Sequence, residues 1–391
     1  MSSCNVSLLA AWLWAQRKGR FMTIVHTDEV RYNFEYEKKL RAAFIGAGGH
    51  SFRNVYPTFQ YAPIDLVAVC DRHEELAAAF ARQFGAIASY RDHHEMLSRE
   101  KPDVVFIVTS YDEEGRPQAT RLALDALESG CHVWMEKPTA ASVADVQALL
   151  DASRRVGRFV MTGLKKTFFP SIVKAKSIIT SEEFGRVASL AIRYPQRMPP
   201  FDQRGNLTKV RGLLDHIYHP ASIIHELMGP VETFSYQWES ISGGSLTNFT
   251  FTSGAIGTLH MPGGGSGTSP LERVEVVGEH ASVVVDNGVK VTYYRPAQRP
   301  AYGRSASYLV DNDVAPLFWE PEFSLGQLYN KNIFYLGYVQ EVLHFCDSVL
   351  MGTPPTKGTL EESMEIVKLF EGYCTTETGV VAVINQRAGI N

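Results

Sequence analysis

Residues 40–51 read LRAAFIGAGGHS, a short apolar run followed by Gly46-Ala47-Gly48-Gly49-His50-Ser51. The run has the length and side chains of a buried strand. The glycines match the pattern G-x-G-x-x-(G/A), with Ser51 in the third position. The first glycine permits a tight turn, the second lets backbone approach a pyrophosphate, and the third position needs only a small residue for helix–strand packing. Amides at the start of the following helix would receive the anion. Taken alone, the triplet is equally a tight βα turn with no ligand.

The next apolar run, Ile64–Cys70, ends on Asp71, twenty residues past Ser51. A carboxylate at that place accepts hydrogen bonds from the ribose hydroxyls. Strand, glycines, helix, strand and acid in this order predict a dinucleotide site. Asp71 favours NAD by repelling a 2′-phosphate. Arg72 beside it could pair with that phosphate or stack on adenine, which leaves NADP open, or be a plain surface charge.

Outward from this unit, the apolar runs Val104–Thr109, His132–Met135 and Phe159–Thr162 alternate with the helical stretches Glu75–Phe84, His93–Ser98, Gln118–Glu128 and Ala140–Arg155. Such alternation predicts βαβ units and an α/β Rossmann domain, a doubly wound parallel sheet, over residues 39–163. After Gly163 the strand-like segments follow one another: Val187–Tyr194, Thr233–Ser240, Leu246–Thr252, Ala255–His260, Arg273–Val277, Ala281–Asp286 and Lys290–Tyr294. They predict an α+β domain with a large open, mostly antiparallel sheet over residues 164–391. A helix, Leu213–Met228, interrupts the series, and Leu336–Leu350 and Leu360–Cys374 close it. Pro262–Gly267 reads as a flexible turn because no helix follows it. Ala297–Lys331, rich in Pro and aromatics, reads as an ordered insertion.

Residues 1–38 read as an N-terminal extension. Val6–Ala15 is apolar but too short to span a bilayer. No Lys or Arg precedes it, and Trp12 and Trp14 stand where a signal peptide would need small residues. Of the 391 residues, 45% are hydrophobic and 20% charged, and the net charge is −4, so two soluble domains are expected. No basic stripe suggests nucleic acid, and no segment suggests a membrane. The five cysteines lie far apart with no CxxC, which argues against metal and disulfide frameworks and for reduced thiols in the cytoplasm.

Glu136-Lys137-Pro138 follows the strand His132–Met135, at the carboxyl edge where open α/β sheets bind ligands. A lysine here, stiffened by the proline, can donate to a reacting hydroxyl or carbonyl oxygen and stabilise the charge that develops there. With Thr109 at the end of the preceding strand, Glu136 and Lys137 complete the expected cofactor contacts. Asp215 and His219 are four apart and share a helix face. His219 titrates in the range a general base needs, and Asp215 could orient it or bind a neighbouring hydroxyl, although by pattern alone His216, His219 and His225 read as ordinary core or surface histidines. A metal pair would use the same spacing, but no third and fourth ligands are evident, so no metal is expected.

GAGGHS, EKP, the helix LLDHIYHPASIIHELMG and YVQEVLHFCDSVLMGTPP together resemble the glucose-fructose oxidoreductase/inositol dehydrogenase family (Gfo/Idh/MocA), from about Leu40 to Ile384. The resemblance implies an active site between the two domains, an NAD(P)-dependent oxidoreductase, and Lys137, Asp215 and His219 as its catalytic group. Lys165 and Lys166 stand where such proteins usually carry Asn and Arg near nicotinamide and substrate, and Tyr218 joins the substrate contacts. A homo-oligomer, dimer or tetramer, is the expected assembly. Two features depart from the family. The loop Thr109–Pro117 is longer than usual and lacks a histidine, and the 297–331 insertion is unusual.

The substrate class is a sugar, sugar derivative or cyclic polyol. An NAD-dependent glycosidase is the alternative; it oxidises the sugar transiently, eliminates, adds water and returns the hydride. Lys137, Lys165 and Lys166 crowded into one cleft, with Arg193, Arg197 and Arg211 near, would repel one another. They therefore predict an anionic group on the substrate, unless one of the adjacent pair faces solvent from an extended segment.

Overall fold

The computed structural model describes residues 30–266, 271–296, 315–320 and 332–386. Most of the N-terminal extension, Cys4 included, and most of the 297–331 insertion lie outside the described residues.

Six strands form the first sheet: β1 (Leu40–Ile45), β2 (Ile64–Cys70), β3 (Ala88–Tyr90), β4 (Val104–Ile107), β5 (His132–Glu136) and β6 (Val160–Gly163). Their order is β3-β2-β1-β4-β5-β6 and every pairing is parallel. This is the doubly wound Rossmann order, in which ligands bind at the carboxyl edge where the order reverses, between β1 and β4. Alternate side chains of β1 feed opposite faces of the sheet: Ala43 and Ile45 pack with Val105, Ile107, Val133 and Met135, whereas Ala42 and Phe44 pack with Phe106 and Trp134. The short strand β3 escapes a reading by pattern, because its three residues are only partly buried.

The chain after the glycine turn is helical but irregular. Ser51–Val55 winds as a wide turn and Tyr56–Tyr61 as a tight one. Pro57, with no N–H to donate, cannot extend a regular helical ladder here.

The second sheet adds β7 (Val187–Arg193), β8 (Val231–Trp238), β9 (Ser245–Phe251), β10 (Ile256–Met261), β11 (Arg273–Gly278), β12 (Ser282–Asp286), β13 (Lys290–Tyr294), β14 (Leu317–Trp319) and β15 (Ala382–Val383). Their order is β14-β13-β12-β11-β7-β10-β9-β8-β15, with β7 and β10 the parallel pair in an otherwise antiparallel sheet. One face alternates inward (Leu190, Ile192, Phe249, Leu259, Val276) against helices, and the other stays open. The helix Leu207–Met228 contributes Val210, Leu214, Ile217, Tyr218 and Ala221 to the same core.

The sequence-based boundary at residue 163 is not a boundary of packing. The helix Tyr338–Met351, far beyond it, lays Tyr338, Val339, Val342 and Phe345 on the Phe44–Phe106–Trp134 face of the first sheet. A parallel sheet has two apolar faces to cover, and the irregular segment after β1 covers only part of this one. Residues 33–36 also belong to the fold rather than to a detached extension: Asn33 Nδ2 donates to the carbonyls of Ala62 and Ile64, 2.7 Å each.

Candidate active site

A cleft of about 530 Å³ opens at the carboxyl edge of the first sheet. It is lined by Gly46, Gly48, Gly49, His50, Ser51, Asp71, Arg72 and Thr109, all predicted cofactor residues. Leu76, Arg91, Gln118 and Arg121 also line it, and sequence reasoning missed them. Arg91 follows the unrecognised strand β3, and the others sit on helices whose solvent and cleft faces look alike in sequence.

The cleft fits a dinucleotide on three observations. Gly46 has φ +117°, and a Cβ there would lie 1.9 Å from the Val108 carbonyl oxygen, so only glycine makes this turn. A Cβ on Gly48 would meet nothing within 4 Å, leaving the backbone open to a close-lying phosphate. The Thr109 hydroxyl is buried without a hydrogen-bond partner, a donor–acceptor waiting for one. Asp71 does two things at once. Its carboxylate accepts from the Ala47 amide at 2.8 Å and the His73 amide at 2.9 Å, which fixes the glycine turn. Each oxygen keeps a lone pair for a ribose hydroxyl.

Glu136 lies beneath this cleft rather than in its lining. It is 7% exposed and accepts from the Lys137 amide (2.5 Å) while bonding His50 Nε2 (2.8 Å). Burial opposes its charge, but the His50 bond and the Lys137 charge prevail and hold its pKa below the usual value. It therefore acts on the cofactor turn through His50. Tyr338 meets the same imidazole nitrogen at 3.3 Å and accepts from Lys165 Nζ at 2.9 Å.

Lys137 Nζ donates to Asp215 Oδ1 at 2.9 Å, and the Tyr111 hydroxyl donates to the same oxygen at 3.0 Å. Burial would raise the Asp215 pKa, yet Lys137 and Tyr111 outweigh it and keep the carboxyl below its ordinary range. Tyr111 was not predicted. It comes from the atypical loop after β4, where the missing histidine was the only signal, and Arg211 stacks over its ring at 5.6 Å.

His219 does not pair with Asp215, whose second oxygen faces His216 at 3.6 Å instead. Its ring stands 6.0 Å from Tyr194, centroid to centroid. Burial, then the charges of Lys137, Lys166 and Lys165, push its pKa well below that of an ordinary histidine. It is thus a neutral imidazole, able to accept a proton.

Two substrate assignments need correction. Tyr218 is 1% exposed, accepts from the Thr139 amide at 3.2 Å and donates to the Ala140 carbonyl at 3.4 Å. On the helix it falls on the core side with Leu214 and Ile217, and its hydroxyl holds the chain after the cis Lys137–Pro138 bond. Lys165 and Lys166 lie in a tight turn, Lys165–Phe168, not an extended segment, so neither is thrown outward. Lys166 is buried, ion-paired with Glu272 and set over the Phe169 and Tyr194 rings. The protein itself supplies countercharge to Lys137 and Lys166, so the argument for an anionic substrate loses its premise. Burial lowers the Lys165 pKa against the pull of Glu136. Arg197 is spent on the Gly263 carbonyl at 2.7 Å.

Residues 40–164 match the family model described as the Gfo/Idh/MocA oxidoreductase family, NAD-binding Rossmann fold. The chain is 27% identical to 4-carboxy-2-hydroxymuconate-6-semialdehyde dehydrogenase of Sphingobium sp., over 51% of this chain and 59% of that one. It is 29% identical to D-glucoside 3-dehydrogenase of Escherichia coli, over 38% and 41%. It is 24% identical to scyllo-inositol 2-dehydrogenase (NAD(+)) of Bacillus subtilis, over 90% and 96%. The first of these matches span about half the length of the curated relatives. A dehydrogenase from Chromobacterium violaceum shares the fold, with TM-score 0.72 and 19% identity over 86% of this chain and 95% of that one. Among the described residues no helix is long and apolar enough to cross a membrane.

Proposed function

We propose that the chain, whose residues 40–164 match the model of the Gfo/Idh/MocA oxidoreductase family, transfers hydride between a nicotinamide dinucleotide and a ring hydroxyl or ketone of a sugar-like or polyol substrate. The observation that carries the reading is the Lys137–Asp215–Tyr111 cluster at the carboxyl edge of β5, beside a neutral His219. Relatives named D-glucoside 3-dehydrogenase and scyllo-inositol 2-dehydrogenase support the substrate class.

The bound nicotinamide supplies the hydride acceptor. Gly46–Ser51, Asp71 and Thr109 would hold the dinucleotide along the cleft. Lys137, charged and aimed by Asp215, donates to the substrate oxygen as negative charge grows on it. His219 takes the hydroxyl proton on a ring nitrogen as the carbon–hydrogen pair leaves, and the oxygen–hydrogen pair becomes the new carbonyl bond. Tyr111 restrains Asp215 through its own hydrogen bond to Oδ1.

Self-association is proposed as well. The outer face of the second sheet exposes Leu246, Ile256, Val277 and Tyr294, apolar side chains that a second copy could cover.

The test is to incubate the enzyme with NAD or NADP and a panel of sugars, inositols and aryl glycosides, following nicotinamide absorbance and released aglycone together. Stoichiometric nicotinamide reduction supports the dehydrogenase. Aglycone release without net reduction overturns it in favour of a redox-neutral glycosidase.

A further inference from the structure

The helices His93–Glu100 and Gln118–Glu128 flank the far side of the dinucleotide cleft. The sequence offers no metal-ligand spacing there, but the fold brings three donors together. His93 Nε2 lies 2.9 Å from Asp125 Oδ2, and His94 Nε2 lies 3.9 Å from the same oxygen. The three ligand atoms are all within 4.8 Å of one another, and the two imidazole rings are 4.0 Å apart.

A hydrogen bond between His93 and Asp125 accounts for one histidine. It does not account for the second imidazole turned to the same carboxylate oxygen. Ligands held at about 2.1 Å from a tetrahedral zinc ion stand about 3.4 Å apart, midway between the two separations seen. Two imidazole nitrogens and one carboxylate oxygen suit a borderline cation such as Zn²⁺ or Co²⁺, and not Ca²⁺ or Mg²⁺. The site is graded in exposure. The His93 side chain is 14% exposed and that of His94 is 65%, so one coordination position would face solvent.

We propose that His93, His94 and Asp125 form a binding site for one divalent transition-metal cation of the zinc type, with an open coordination position, between the dinucleotide cleft that His93 lines and a neighbouring cavity that His94 lines. It is separate from the Lys137–Asp215–His219 cluster and does not depend on the hydride-transfer reading. His93 also lines the cleft, so the cation would add positive charge beside the dinucleotide.

The test uses full-length protein free of any histidine tag, titrated with Co²⁺ and followed by the visible absorption of the bound ion. The expected result is one equivalent of cobalt bound, displaced by Zn²⁺, with affinity at least tenfold weaker in both His94→Gln and Asp125→Asn. His94 is largely exposed, so its variant keeps the fold, and a thermal melt checks both. No absorption at one equivalent, or unchanged affinity in both folded variants, overturns the site.

Discussion

Lys137 Nζ and Asp215 Oδ1 meet at 2.9 Å although they are 78 residues apart, one at the carboxyl end of a Rossmann strand and the other on the first long helix of the second domain. The pair ties the carboxyl end of β5 to the helix Leu207–Met228. Removing the lysine leaves the dinucleotide cleft lined as before, because Lys137 is not among its walls. Lys137→Ala should therefore cost about 3 kcal/mol in the transition state with dinucleotide affinity nearly unchanged. Steady-state kinetics beside calorimetry checks this; more than half of the wild-type turnover would refute the role.

Tyr111→Phe removes one of two donors on Asp215 Oδ1 and leaves Lys137 in place. Turnover should fall about tenfold, about 1.4 kcal/mol, well short of the lysine variant. A loss as large as that of Lys137→Ala would mean that the tyrosine touches the reacting atoms itself.

Burial and three lysine charges penalise the His219 imidazolium, so its folded pKa lies below the unfolded one. The acid limb of the activity profile should then fall below about 6.5, the ordinary histidine value. His219→Ala should lower turnover about a hundredfold or more and abolish that limb. Stability follows the same sign. The unfolded chain takes up this proton first, so the wild type loses stability as pH falls from about 6.5 toward the folded pKa, and the variant lacks that component. A limb that survives in the variant identifies another titrating group.

Asp71→Ala removes both the ribose acceptor and the anchor of the Ala47 amide. NAD affinity should weaken and the preference over NADP should relax. Asp71→Asn keeps an acceptor for Ala47 and should lose the discrimination with less of the affinity. Calorimetry with both cofactors on the three proteins decides; unchanged values would make Asp71 a structural acid only.

Tyr218→Phe leaves the Thr139 amide unpaired in the core. Its melting midpoint should drop by the equivalent of about 1–3 kcal/mol while KM stays at the wild-type value. A raised KM with unchanged stability would restore the residue to the substrate site.

Local pattern alone determined the Rossmann domain, its glycine turn and the acid Asp71 at the next strand end, and it offered Lys137 as a candidate, whereas Asp215 and His219 drew their candidate role from the family resemblance. A strand buried on both faces, a turn only glycine can make and an acid at the next strand end each leave a signature within a few residues. The partners of those residues left none. Which oxygen receives Lys137, why Tyr218 turns to the core, how Glu272 neutralises Lys166 and why Tyr338–Met351 returns to the first sheet depend on contacts between segments up to hundreds of residues apart. Adjacent lysines looked like a charge crowd because sequence shows each charge without its counterion. Burial penalises a charge unless a partner offsets the cost, and the pairing is a property of the folded chain.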